Sequence, residues 1–264
     1  MRRVALVTGA SSGIGAAFAE ALAARDTDVI VVARRLDRLE TLRDRLQERH
    51  AVRVHVVQSD LSCRGAVDAI CAELDRRGLV VDILVNNAGF GVSGRLVASP
   101  WQTHEAFLQV MIGTVAELTH RVMPGMIERR FGRIINVASL AALLPAPAGH
   151  TMYAASKAFV VKFSEALALE GRPHGVLVTA LCPGFTWSEF HDVVGTRESV
   201  SRMPSFMWTR ATDVAERGLE AVELGASVVV VGRFNATLAT LARLLPQSVV
   251  RAVSRRVGRS YRKV

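Results

Sequence analysis

Tyr153 and Lys157 stand four residues apart in the run Tyr153-Ala154-Ala155-Ser156-Lys157, and Ser139 lies fourteen residues before the tyrosine. On a helix that spacing puts phenol and ammonium on one face, within reach of each other. An ammonium beside a phenol favours the phenolate, so the Tyr153 pKa is expected to fall from its ordinary ~10 toward neutrality. A phenol tuned in this way is a general acid and base, and the Ser139 hydroxyl is suited to hold a carbonyl oxygen. Taken alone, the pair reads as a surface contact on a helix. The rest of the chain overturns that reading.

The elements that must position these groups form a regular alternation. Strands are expected at Val4–Val7, Val29–Ala33, Val52–Val57, Ile83–Val85, Ile134–Val137, Val176–Leu181 and Val228–Val231. Helical patterns fall between them: Gly13–Ala24, Asp37–Arg49, Arg64–Arg77, a long Trp101–Glu128 with a bend near Pro124, the helix carrying Tyr153, and Thr212–Glu223. Seven strands alternating with helices imply an α/β fold, one doubly wound, seven-stranded parallel sheet flanked by helices in a single domain. Directly after the first strand comes Thr8-Gly9-Ala10-Ser11-Ser12-Gly13-Ile14-Gly15. A Gly-rich turn lets backbone N–H groups approach a pyrophosphate, and the helix N-terminus that follows favours the anion. By itself such a turn also reads as a tight structural corner.

With these motifs in view the chain resembles the short-chain dehydrogenase/reductase family. The resemblance is carried by T-G-x-x-x-G-I-G at Thr8–Gly15, N-N-A-G at Asn86-Asn87-Ala88-Gly89, Ser139 with Y-x-x-x-K at Tyr153 and Lys157, and P-G at Pro183-Gly184. It covers residues 4–232 and implies a Rossmann fold binding a nicotinamide cofactor. The pyrophosphate would lie over Gly9, Ser11, Ser12, Gly13, Ile14 and Gly15. Asp60, with Leu61, would meet the adenine, and Asn87, Ala88 and Gly89 would line its ribose side. Tyr153 would give a proton to a ketone, with Lys157 lowering its pKa and binding the nicotinamide ribose. Ser139 would polarise the carbonyl, and Pro183 and Gly184 would cover the nicotinamide. Taken as a residue rather than by resemblance, Asp60 reads equally as an N-cap. Two departures from the family pattern stand out. Met111 occupies the place of an Asn that helps hold a proton-relay water, for which Thr114 is a substitute one turn on. The Ser139-to-Tyr153 spacing is also one residue longer than usual, so the loop Leu140–Met152 must absorb it.

After the second strand, Ala33-Arg34-Arg35 lacks the acid that would grip a ribose 2′-OH and offers two guanidiniums instead. A guanidinium binds phosphate bidentately, so Arg34, with Arg35 beside it, is expected to select NADP(H). Phe185, Trp187, Phe190, Phe206 and Trp208 crowd the stretch 185–208 and suggest a lid over a hydrophobic substrate, with local packing as the alternative.

The composition agrees. Of the net charge of +9, eight charges sit in residues 233–264, which hold eight Arg or Lys and no acid; elsewhere 25 basic residues nearly balance 24 acidic ones. A basic tail is not a basic fold, and no nucleic-acid partner is expected. From Gln247 onward, Val249, Val250, Val253 and Val257 share one helical face, and Arg251, Arg255, Arg259 and Arg262 another. Such an extension of the domain (233–264) suits a peripheral membrane or acyl-carrier contact, or else a frayed end or a subunit contact. Cys63, Cys71 and Cys182 form neither a zinc pattern nor a disulfide framework, no metal site is expected, and the apolar runs are too short for a membrane span or a signal segment. The expectation is a cytoplasmic enzyme, a homodimer or homotetramer through the long helix and the Tyr153 helix. It would reduce a ketone on an apolar substrate, foremost a 3-oxoacyl chain, with NADPH. A hydroxysteroid or broad carbonyl dehydrogenase and a cofactor-binding protein of weak turnover are the alternatives.

Overall fold

The computed structural model describes residues 2–92, 94–146, 148–149, 151–189 and 204–244. Seven strands form one sheet: β1 Val4–Thr8, β2 Asp28–Ala33, β3 Val54–Gln58, β4 Ile83–Asn86, β5 Gly132–Val137, β6 Val176–Cys182 and β9 Val228–Val230. Their order is β3-β2-β1-β4-β5-β6-β9, and every pairing is parallel. The sequence reason lies in runs such as Val29-Ile30-Val31-Val32, whose β-branched residues are all buried. A strand covered on both faces has no need of polar alternation.

The residues of successive strands divide between two layers. Ala5, Val7, Val31 and Leu181 pack against Phe18 and Leu22 of α1 (Gly13–Ala23), Leu39 of α2 (Leu36–Arg49) and Val214 of α7 (Ala211–Glu223). Leu6, Ile30, Leu84 and Ile134 pack against Ile70 of α3 (Ala66–Arg76) and Leu118 and Met126 of α5 (Thr114–Glu128). α6 (Thr151–Gly171) lays Val160 and Val161 on Ala180 and Cys182. The sheet order reverses between β1 and β4, so the loops leaving their C-terminal ends diverge and open a crevice there.

A buried polar chain ties the second layer to the sheet. Asn86 Nδ2 donates to Thr119 Oγ1 at 3.0 Å and to Asn136 Oδ1 at 2.8 Å, and Asn136 Nδ2 donates to Ser164 Oγ at 2.9 Å. It joins β4, β5, α5 and α6 just below the crevice.

Two features depart from the sequence expectation. The long helix does run from Trp101 to Glu128, but as α4 (Trp101–Leu108), a π turn at Gln109–Gly113, and α5. The irregularity falls at the π turn, where Gly113 leaves room for the folded-back Gln109 amide, while Pro124 is carried inside α5. In the expected lid, β7 (Phe185–Trp187) and β8 (Trp208–Arg210) pair as a small parallel ladder, fastened by Trp187 stacking on Trp208 at 4.1 Å. The basic extension begins as α8 (Arg233–Leu244). Its remainder, including the amphipathic pattern from Gln247, lies outside the described residues, as does Phe190 of the lid. Among the described residues no helix is long and apolar enough to cross a membrane, and no cluster suited to a metal ion is present.

Asn136→Ala is expected to cost about 1–3 kcal/mol, because it removes a buried acceptor from one Asn86 N–H and a buried donor from the Ser164 oxygen, while Asn86 keeps Thr119 and Ser164 keeps the Val160 carbonyl. Urea unfolding measures this. A loss below about 0.5 kcal/mol, the size of an ordinary surface change, would mean that the polar chain is not a tie.

Candidate active site

Most motifs picked out in the sequence leave the C-terminal end of a strand, and α6 brings Tyr153 and Lys157 back to the same edge. Ser139 follows β5, Tyr153 and Lys157 lie on α6, and Pro183 and Gly184 follow β6. The turn Gly9–Gly15 joins β1 to α1, Arg34 and Arg35 join β2 to α2, Asp60 and Leu61 follow β3, and Asn87, Ala88 and Gly89 follow β4.

The Gly-rich turn is locked to the β4 end by reciprocal bonds. Thr8 Oγ1 accepts from the Asn87 N–H at 2.9 Å and the Ala88 N–H at 3.0 Å, while Asn87 Nδ2 donates to the Thr8 carbonyl at 2.9 Å. Asn87 therefore spends its side-chain amide on the turn. Gly9 has φ +66°, and a Cβ there would stand 2.8 Å from that amide; a Cβ on Gly15 would collide with the Gly9 carbonyl. Ile14 packs on the core and anchors the start of α1.

Beside the turn lies a cation. Arg35 Nη2 donates to Ser11 Oγ and Ser12 Oγ, both at 2.9 Å, and Arg35 Nε also reaches Ser11 at 3.2 Å. Arg34 is exposed, its carbonyl held by Gln58 at 2.9 Å. Of the two arginines it is Arg35 that is built into the turn, which sequence order could not decide. The donor set fits a phosphorylated dinucleotide: a turn opened by left-handed glycines at the head of a helix, with a fixed guanidinium alongside.

Asp60 caps no helix, since α3 begins at Ala66 behind Gly65. Its Oδ1 accepts from the Ser62 N–H at 3.0 Å and the Ser62 hydroxyl at 2.7 Å. Partial burial works against the charged form, but these bonds and the nearby Arg34 hold its carboxyl below the usual range. Leu61 is buried in the core, and its carbonyl accepts from Thr114 Oγ1 at 3.1 Å. The Thr114 hydroxyl proton is thereby committed to that carbonyl. Met111 itself is buried in the π turn, its Sδ lying 2.9 Å from where a Gly89 Cβ would stand.

Ser139, Tyr153 and Lys157 meet at the end of β5. Ser139 Oγ accepts from the Ala141 N–H at 3.1 Å and hydrogen-bonds the Tyr153 phenol. The extra residue in the intervening loop has not separated the pair. Lys157 is 6% exposed; its Nζ donates to the Val137 carbonyl at 2.7 Å and lies 6.0 Å from the Tyr153 ring centroid.

The expected fall of the Tyr153 pKa is not what the structure gives. Burial pushes the phenol above its ordinary value, and the Ser139 bond offsets only part of that. Burial also depresses the Lys157 ammonium to about 8. The spacing argument placed the cation correctly but omitted the cost of taking both groups out of water.

Three contributors went unrecognised in the sequence. Cys182 is fully buried behind the site; its thiol is pushed up to about 12 by burial and accepts from the Ser139 backbone N–H. Its place just before Pro183-Gly184 was the available signal. Asn235 of α8 donates to the Val231 carbonyl at 2.8 Å and presses on Gly184, where no side chain could fit. Glu189 reaches Arg35 and Arg38 from beyond β7. Only folding brings those last two to the site.

The depressed Lys157 pKa has a stability consequence. Below about pH 8 both folded and unfolded chains carry this charge, and folding bears the whole cost of burying it, about 3 kcal/mol. Between about 8 and the ordinary ~10.5 the unfolded chain binds more protons, so the cost declines as pH rises. Lys157→Met is therefore expected to unfold at higher denaturant than the parent at pH 7, with the gap closing by pH 10. A variant less stable at pH 7 would contradict this.

Comparison with known proteins agrees with the geometry. Residues 3–198 match the model of the family described as short chain dehydrogenase. An uncharacterized oxidoreductase of Myxococcus xanthus is 34% identical over 255 residues, 97% of either chain. A very-long-chain 3-oxoacyl-CoA reductase of Anas platyrhynchos is 35% identical over 207 residues, covering 76% of this chain and 63% of its own. Among solved structures, a short-chain dehydrogenase from Sphingobium yanoikuyae in complex with NADPH superposes with a TM-score of 0.79 at 31% identity, over 86% of this chain and 87% of that one. With its strand-end motifs gathered at the crevice of a parallel sheet, the chain belongs to the short-chain dehydrogenase family, as a Rossmann-fold oxidoreductase of the nicotinamide-dependent kind.

Proposed function

We propose that this protein is an NADPH-dependent reductase that converts a ketone on an apolar substrate, a 3-oxoacyl chain, to the alcohol. The observation that carries the reading is the cluster of Ser139, Tyr153 and Lys157 on the same sheet edge as the Gly-rich turn with its fixed Arg35. The reduced nicotinamide, when bound, supplies the hydride that the carbonyl carbon accepts.

The protein's own residues handle the oxygen. As the carbonyl carbon gains hydride its oxygen becomes an alkoxide, and the Tyr153 phenol hands over its proton, leaving a phenolate. A phenol whose pKa is raised by burial stays protonated at neutral pH, which is the form that reduction consumes. Ser139 is positioned to hold the same oxygen while charge develops. The Lys157 ammonium, 6.0 Å from the ring, favours the phenolate as it forms.

Cofactor choice follows from Arg35. A guanidinium held by two serine hydroxyls is preorganised, and a 2′-phosphate adds a charge-assisted acceptor to it. For the substrate, support comes from apolar surface downstream of Gly184: Phe185 and Trp187 pack on Trp208, and Phe206 sets its ring against Phe234. The similarity to a 3-oxoacyl-CoA reductase favours an acyl chain for that surface.

Tyr153→Phe is expected to keep NADPH binding near the parent value and to lose ~10²- to 10⁴-fold in turnover of a 3-oxoacyl thioester. Parent-like turnover would remove Tyr153 as the acid. A parent enzyme that ignores thioesters but reduces a steroid ketone would keep the mechanism and change the substrate. Arg35→Ala is expected to weaken NADPH by roughly 10- to 100-fold, the loss of a charged hydrogen bond worth about 1.5–3 kcal/mol, with NADH almost unchanged. Arg34→Ala should do far less. Equal losses for both cofactors would make Arg35 structural.

A further inference from the structure

Glu189 lies just past β7, more than 150 residues from the arginines it touches. Its Oε2 accepts from Arg35 Nη1 at 3.0 Å, and its two oxygens accept from Arg38 Nη1 at 2.6 and 2.7 Å. Arg38 is one turn along α2 from Arg35, so the two cations share a face. The backbone that carries Glu189 is seated on the phosphate turn: Ser188 Cβ stands 2.9 Å from where a Gly13 Cβ would be, and Trp187 is stacked on Trp208. One guanidinium thus spans two serine hydroxyls of the Gly-rich turn on one side and a carboxylate on the other.

We propose that Glu189 is the chain's own occupant of the 2′-phosphate subsite, a carboxylate that the cofactor's 2′-phosphate must displace, and that it thereby sets cofactor affinity and selectivity. The inference rests on reading Arg35 as the 2′-phosphate partner. Three features fit an exchangeable occupant. The bridge is anionic, like the ligand it stands in for. Its side chains are 40–44% exposed, so the ion pairs are screened and weak enough to yield. A phosphomonoester offers three oxygens and more charge than a carboxylate, so it wins the exchange, whereas the neutral 2′-OH of NADH has nothing to exchange. Being tethered, Glu189 competes at high effective concentration and speeds the departure of NADP(H) once the phosphate lets go.

The test is calorimetric titration of the parent, Glu189→Gln and Arg35→Ala with 2′,5′-ADP and with 5′-AMP. The two probes differ only in the 2′-phosphate, and melting curves establish that each variant is folded. Glu189→Gln should bind 2′,5′-ADP about two- to fivefold tighter, the range of an exposed ion pair, and 5′-AMP as the parent does. Unchanged or weaker 2′,5′-ADP binding overturns the proposal, and equal tightening of both probes overturns it too. Arg35→Ala separates the two readings. If it abolishes the preference for 2′,5′-ADP while Glu189→Gln gains nothing, the competition fails and the Arg35 subsite stands. If it keeps the full preference, the Arg35 reading fails and the inference falls with it.

Discussion

The Lys157 ammonium is held in a place that water barely reaches, and the neighbouring structure is arranged to make that tolerable. Its fixed partner is the Val137 carbonyl, the last of β5. A central strand ends there, and the carbonyls at its end are free of the ladder to accept from a side chain. The same strand end presents Ser139, and α6 brings Tyr153 over it. The burial that depresses the lysine also raises the tyrosine. Both shifts oppose charge, so the site rests as a protonated phenol over a reluctant cation. Such a cluster holds together only on a rigid frame, which the Asn86–Asn136–Ser164 chain and the apolar packing of α6 on β6 provide.

Polar bonds play two different parts at the crevice. Around the Gly-rich turn they are close and largely shielded: Thr8 and the partly buried Asn87 trade donors and acceptors across the β1–β4 divide, and the glycines permit the approach. Removing the Asn87 side chain there would take a donor from the carbonyl of the buried Thr8. At the rim, Arg35, Arg38 and Glu189 are half-exposed and salt-screened. Their bonds can be exchanged at small cost. A permanent cradle surrounded by replaceable contacts is what a site needs when it must bind a charged ligand and release it each cycle.

The apolar flank is built differently again. β7 and β8 form only three pairs, too few to stand alone, and gain their order from Trp187, Trp208 and Phe185 packing on one another. Below them, Asn235 presses on Gly184 and ties α8 to the turn after β6. The end of the chain thus supports the middle of the site. The basic extension is therefore more than an appendage at its beginning, whatever its later residues do.

Much of this was legible in the sequence. The strand and helix alternation, the parallel sheet and the strand-end position of most motifs follow from periodicity and Gly placement, because those patterns act locally. Ser139, Tyr153, Lys157 and the Gly-rich turn are expected together from spacing and order, and the fold brings them to the same sheet edge. What the sequence could not carry were quantities that depend on distance through space. The sign of the Tyr153 shift required knowing how deeply both groups are buried. That Arg35 and not Arg34 meets Ser11 and Ser12 required knowing where each guanidinium lies. Asp60 proved to hold Ser62 through the local turn, and Thr114 to hold the Leu61 carbonyl across the fold. Glu189 and Asn235 join the site from remote positions that no motif spans. The sequence by itself determined the family, the parallel α/β fold and the elements on which its motifs stand. Only the tertiary structure decided how those groups ionise and which neighbours they share, because desolvation and long-range hydrogen bonding exist only once the chain has closed around them.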